Sequence, residues 1–177
     1  IGRSAQATAN NSNAIGRSAR AEGENATAIG HGSVSSGRNS NAFGSSAKAS
    51  AEGSTAVGNS TKANGISSTS TGFNAEAFGN FSSAYGNDAR AKGNRSVAVG
   101  YNAKAEESAT AVGNNANAGA ANAVALGSGN TITARGGVGI GSSNSVSGID
   151  SGAFGVGSNV AQGNTYVLGS NVAAKQG

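Results

Sequence analysis

A glycine returns at a near-constant interval from one end of this chain to the other: Gly2, Gly16, Gly30, Gly44, Gly58, Gly72, Gly86, Gly100, Gly113, Gly127, Gly141, Gly155 and Gly169. Every step is fourteen residues except the thirteen between Gly100 and Gly113. Phased copies of one short unit, with no non-repeating segment between them, specify a solenoid rather than a globule. A Gly/Ser/Asn-rich chain could instead be disordered. The apolar residues decide against that, because they too are periodic. The residue before each repeat glycine reads Ile1, Ile15, Ile29, Phe43, Val57, Thr71, Tyr85, Val99, Val112, Leu126, Ile140, Phe154 and Leu168. All but Thr71 are large and apolar or aromatic.

Further columns run parallel to this one. Two residues before the glycine stand Ala14, Ala28, Ala42, Ala56, Ala84, Ala98, Ala111, Ala125 and Ala153, and four before it a Ser or Ala such as Ser40, Ser54 and Ala109. Such period-two alternation predicts a strand whose faces meet different surroundings. A second strand is predicted after the glycine. Alanines fall three and five residues on (Ala19, Ala47, Ala89; Ala21, Ala49, Ala91), with polar residues between them. Each unit is thus two short strands and two tight turns. The repeat glycine opens one turn; Gly23, Gly37, Gly65, Gly79 and Gly93 mark the other.

Stacked as rungs about 4.7–4.9 Å apart, thirteen units make a rod on the order of 60 Å long. A fourteen-residue rung encloses a thin core, which suits inward Ala and Ser. The column before the repeat glycine is then left pointing outward as a continuous apolar stripe, which calls for a covering partner. Its side chains offer roughly 1.5–3 kcal/mol each on burial, against about 4–15 kcal/mol lost on association. The chain is therefore expected to be a parallel, in-register homo-oligomer whose seam is Ile15, Ile29, Phe43, Val57, Tyr85, Val99, Val112, Leu126, Ile140, Phe154 and Leu168. One line of side chains per chain suits three chains converging on an axis; a dimer stays open.

The stretches Asn11-Ser-Asn-Ala-Ile-Gly16, Asn39-Ser-Asn-Ala-Phe-Gly44, Arg95-Ser-Val-Ala-Val-Gly100 and Asn122-Ala-Val-Ala-Leu-Gly127 resemble the head repeat of YadA-like trimeric autotransporter adhesins. That family's fuller motif is Asn-Ser-Val-Ala-Ile-Gly-x-x-Ser; Asn25 to Ser33 keeps its closing serine, where most copies here have Ala. The resemblance implies an all-β, left-handed parallel β-roll, a parallel homotrimer, and display on a Gram-negative outer membrane. It divides the chain into regular head repeats over 1–126, variant repeats over 127–172, where the inner Ala becomes Ile132, Val146 and Val160, and the start of a neck over 173–177. The variant rungs are expected to fatten or reshape the roll. The thirteen-residue step, near Ala105 to Ser108, is expected to be absorbed in a turn.

No arrangement of residues suggests catalysis, a cofactor or a metal site. His31, the only histidine, reads as a surface turn residue. The carboxylates do not converge; Glu106-Glu107 is the one adjacent pair. Gly155-Val156-Gly157 lacks the third glycine and helix of a dinucleotide loop. The formal charge of +4 comes without a basic run, which argues against nucleic acid. No apolar stretch approaches the roughly 20 residues that span a bilayer, so no direct membrane insertion is expected of this segment. It opens mid-motif and is expected to be an excerpt whose targeting and anchoring lie elsewhere.

Function must then use the outer surface. Phe73, Phe78, Phe81 and Tyr101 replace residues that are polar in neighbouring copies and are the candidate contacts for a host protein. A cationic column, Arg20, Lys48, Lys62, Arg90 and Lys104, interrupted by Glu76, is a second candidate for acidic partners or simply a solvated face. The expected function is a non-enzymatic adhesin head that attaches to host extracellular matrix proteins (collagen, fibronectin, laminin) or to host cells. The alternatives are capture of a soluble host protein, such as immunoglobulin or a complement regulator, and a passive spacer or phage-fibre rod. An ice-binding array would need regular Thr rows, and Thr69 and Thr71 are only a local pair.

Overall fold

The computed structural model describes residues 1–174. Two parallel sheets lie face to face, and the chain alternates between them. Two-residue strands, from Gln6–Ala7 to Ala173–Ala174, form a 13-stranded sheet; strands of three to five residues, from Asn13–Ile15 to Tyr166–Leu168, form a 12-stranded one. Each strand pairs with its equivalents one repeat before and after: Ala14 opposite Ala28, Ile15 opposite Ile29, Arg20 opposite Val34. The protein is an all-β parallel solenoid.

Inward positions are the small-residue columns. Ala28, Ala42, Ala56, Ala84 and Ala98 on the longer strands face Ala21, Ala49, Ala63, Ala77 and Ala91 on the shorter ones, all fully buried. A methyl against a methyl is what two sheets separated by one thin layer can hold at native packing density. Larger side chains would force the sheets apart.

Serine in the column four before the glycine does more than fit. Ser12, Ser40, Ser54, Ser82 and Ser96 each donate from Oγ to the carbonyl three residues back, at 2.6–2.7 Å, and so close the half-period turn. Serine also stands in the alanine columns themselves, as at Ser35 and at Ser70. At the first, Ser35 and Ser40 hydrogen-bond across the core at 2.6 Å. At the second, the buried hydroxyls of Ser68 and Ser70 have no hydrogen-bond partner among the described residues.

Both turns impose a left-handed residue. The repeat glycines have φ between 103° and 141°, a region that only glycine occupies freely. A Cβ there would also meet the backbone of the next rung, so this column is glycine for two independent reasons. Two positions later, and again nine positions later, φ is near +55° in rung after rung, carried mostly by Ser, Asn and Gly (Ser18, Ser46, Asn74; Asn25, Asn39, Gly53). The half-period glycines Gly23, Gly37, Gly65 and Gly79 differ. Their φ is not positive, and what favours glycine is the carbonyl of the following rung, which lies where a Cβ would go.

The thirteen-residue step loses one residue of the half-period turn. Lys104 pairs with Asn117 and Val97 with Thr110, and the ladder continues on both sides. Beyond residue 127 the core changes. Ile132, Val146 and Val160 are fully buried where alanine stood. The expected fattening is offset from the facing wall, where Gly137 and Gly139 leave room: a Cβ on either would lie 2.7 or 2.5 Å from Ile132. Two strands also lengthen to five residues, Val138–Ser142 and Gly152–Val156. Buried Asn130 and Asn144 replace alanine in the column three after the glycine. Asn130 Nδ2 donates to the Leu126 and Gly141 carbonyls at 2.7 and 2.9 Å, and its Oδ1 accepts from Asn144 N at 3.0 Å. Ala173–Ala174, at the start of the segment expected to open the neck, forms a strand paired with Asn159–Val160. The rest of that segment, Lys175–Gly177, lies outside the described residues.

Candidate functional site

The longer strands present two columns to the outside, because alternate residues share a face. The column before the repeat glycine emerges as the sequence predicts. In the single chain Ile15, Ile29, Phe43, Val57, Tyr85, Val112 and Ile140 are each 36–42% exposed, and Val99, Leu126 and Phe154 are half-buried. Leu168, on the last long strand, is almost wholly exposed. The sequence reading missed the second column, two residues earlier. There Thr27, Thr55, Thr110, Val97, Val124 and Val138 lie half-buried on the same face. Its signal was the same period-two rule, masked by Asn13, Asn41 and Ser83 in other copies. Together they make a stripe two residues wide, most apolar from Val97 to Ile140.

The four aromatics singled out as candidate host-protein contacts lie on two edges of the rod. Phe73 and Tyr101 sit just after repeat glycines, in the turns that follow Thr69–Thr71 and Val97–Val99. Phe78 and Phe81 sit in the opposite turn, between Glu76–Ala77 and Ser83–Tyr85. The strand Glu76–Ala77 crosses the rod between Phe73 and Phe78, so nearness in sequence does not become nearness in space. All four side chains are exposed, Phe81 most of all at 60%. The half-period edge gains an exposed neighbour, Ile66, one rung before Phe81, whose carbonyl accepts from Phe81 N at 2.8 Å.

The cationic column is likewise revised. Glu76 does not merely interrupt it. Register places Glu76 between Lys62 and Arg90, and its carboxylate pairs with Lys62 Nζ at 2.8 Å and Arg90 Nε at 3.3 Å. Flanked in this way, Glu76 is only 8% exposed. Arg20 pairs with Glu22. Lys48 and Lys104 are the members of the column without an ion pair among the described residues, and three rungs lie between them, too far apart to hold one anion together.

His31 lies in a surface turn, where Arg17 of the preceding rung approaches its Nε2 at 2.9 Å. Glu106 pairs with Lys92 at 3.2 Å, and Glu107 Oε2 accepts from Asn94 N at 2.9 Å, so this acidic pair braces the shortened turn. Among the described residues, no three His, Cys, Asp or Glu side chains converge as metal ligands, no cavity opens, and no helix is long and apolar enough to cross a membrane.

The family model of the YadA head domain repeat, which describes two copies of the unit, matches residues 7–33, 35–61, 63–89, 82–103, 91–108 and 105–130. The matches stop where the core columns change to Asn and Ile. No curated protein matches the chain significantly. With well over half its length matched and the predicted rungs in place, the chain belongs to the YadA head-repeat family.

Proposed function

We propose that this chain is the head of a trimeric autotransporter adhesin, carried on a Gram-negative outer membrane, that attaches to host matrix proteins such as collagen, fibronectin and laminin or to host cells. Three parallel copies wind as left-handed rolls about a shared axis and cover the stripe Ile15 to Leu168. The observation that supports the reading is that stripe: outward apolar side chains along the rod, interrupted at Thr71, on a chain of YadA head repeats. Attachment is by contact alone. Weak sites repeated around three chains act together through effective concentration, so affinity does not have to reside in one deep pocket.

The test is attachment of the purified head to immobilised collagen, fibronectin, laminin and cultured cells, beside a pull-down from serum. Binding to matrix or cells supports the proposal. Retention of immunoglobulin or a complement regulator alone moves the function to capture of a soluble host protein. Retention of nothing in any arm leaves a spacer rod.

A further inference from the structure

The half-period turn carries a rule that two residues break. Nine positions after each repeat glycine, or eight in the shortened rung that follows Gly100, the backbone is left-handed, with φ from 53° to 68°. An inter-rung hydrogen bond fixes it there: this residue's N–H donates to the carbonyl of the preceding rung, as Asn39 does to Glu24 at 2.8 Å and Ser67 to Glu52 at 2.8 Å. Left-handed backbone is tolerated by Gly, Asn, Asp and, less readily, Ser, and resisted by bulky side chains. The column obeys: Asn11, Asn25, Asn39, Gly53, Ser67, then Ser108, Asn122, Gly136, Asp150, Asn164. Its exceptions are Phe81, with φ 59°, and Arg95, with φ 56°. The equivalent column of the other turn, Ser4 to Asn171, contains only Ser, Asn, Asp and Gly.

Both exceptions fall on consecutive rungs, about 4.8 Å apart along the rod. Neither is explained by packing. Both side chains are exposed, and their N–H groups make the bonds that any residue would make, Phe81 to Ile66 and Arg95 to Asn80, each at 2.8 Å. Strain that the fold does not require, held at adjacent surface positions, points to a role outside the fold. The surroundings define the chemistry. Ile66 and Phe78 extend the apolar surface around Phe81, and Arg95 forms no ion pair among the described residues, while nearby Lys92 is already held by Glu106.

We infer that the edge formed by Ile66, Phe78, Phe81 and Arg95 is a protein-contact site. It takes a segment of a host protein that presents an apolar or aromatic side chain beside a carboxylate: the apolar group lies on Phe81 and Phe78, and the carboxylate pairs with the Arg95 guanidinium. This rests on the adhesin reading and deepens it. Each sister chain supplies one copy of the site.

Phe81→Asn and Arg95→Asn install the residue that the column prefers. A phage-displayed random dodecapeptide library, selected on the unmodified head, is the probe. The expected peptides combine an acidic residue with a neighbouring aromatic or aliphatic one, and bind either variant at least tenfold more weakly. Both variants are expected to unfold about 2–4 °C higher than the parent. Lower unfolding temperatures would make Phe81 and Arg95 packing residues of the assembly and overturn the proposal. So would peptides lacking acidic residues, or binding untouched by both substitutions. Failure of the unmodified head to attach to matrix proteins and cells sinks the adhesin reading; attachment equally strong in both variants sinks only this site.

Discussion

Gly30 and Gly32 belong to the same turn, yet alanine at the two positions should differ severalfold in cost. At Gly30, φ is 134°, and an added Cβ would lie 2.5 Å from the carbonyl carbon of Gly44, where ordinary contact begins at 3.4 Å. The conformational strain alone is about 1–3 kcal/mol. To relieve the clash the next rung must retreat by nearly 1 Å, which stretches the bonds from Gly44 N to Ile29 O and from Ser46 N to His31 O, both now 2.8 Å. Two weakened bonds add roughly 0.5–1.5 kcal/mol each, for a total of about 2–6 kcal/mol per chain. At Gly32, φ is 64° and the nearest atom to a Cβ is Ser46 Oγ at 3.9 Å. Only the left-handed preference is lost there, about 1–2 kcal/mol, offset in part by a less flexible unfolded chain. Ser18 and Ser46, which hold this position in the flanking rungs, show that a side chain fits. Thermal unfolding followed by circular dichroism compares the two directly. Equal losses for Gly30→Ala and Gly32→Ala would refute the claim that the rung-to-rung backbone approach sets the glycine period.

Four other substitutions probe the core and the charged face. Ser70→Ala restores the column that Ala56 and Ala84 continue on either side and removes a buried, unpartnered hydroxyl; it should stabilise the chain by about 1–3 kcal/mol, and a lower unfolding temperature would contradict this. Ile132→Ala should cost about 2–5 kcal/mol. Gly139→Ala should also destabilise, but the double variant should lose less than the sum, because each residue fills the space the other leaves; strict additivity in denaturant titrations would deny that compensation. Glu76→Gln leaves Lys62 and Arg90 facing each other without their shared anion. A loss of about 1 kcal/mol that shrinks in high salt is expected, and a salt-independent loss would show that Glu76 acts by packing instead.

The sequence made the rungs, the two sheets and the outward stripe legible because each depends on one side chain repeated in one column. Features that depend on pairs of residues a full repeat apart were not legible in the same way. Glu76 reads as a break in a basic row until register sets it between Lys62 and Arg90. Gly137 and Gly139 have no side chain to signal a role until Ile132 is seen to need the space. Phe73 and Phe78 look like neighbours, whereas the two-residue strand between them carries the chain from one edge of the rod to the other. The left-handed column was hidden for a different reason: Ser and Asn suit many turns, and only the exceptions at Phe81 and Arg95 give the position a meaning. The serines that close the half-period turn looked like small core residues, since their hydrogen bonds run to backbone and leave no trace in composition.

Sedimentation equilibrium on the purified chain at micromolar concentration tests whether the stripe from Ile15 to Leu168 is a seam between sister chains. A single species of three times the 16.8 kDa chain mass is expected, falling apart when Val99 and Val112 are both changed to Asp. A chain that stays folded and sediments as a monomer across the same concentrations would contradict it.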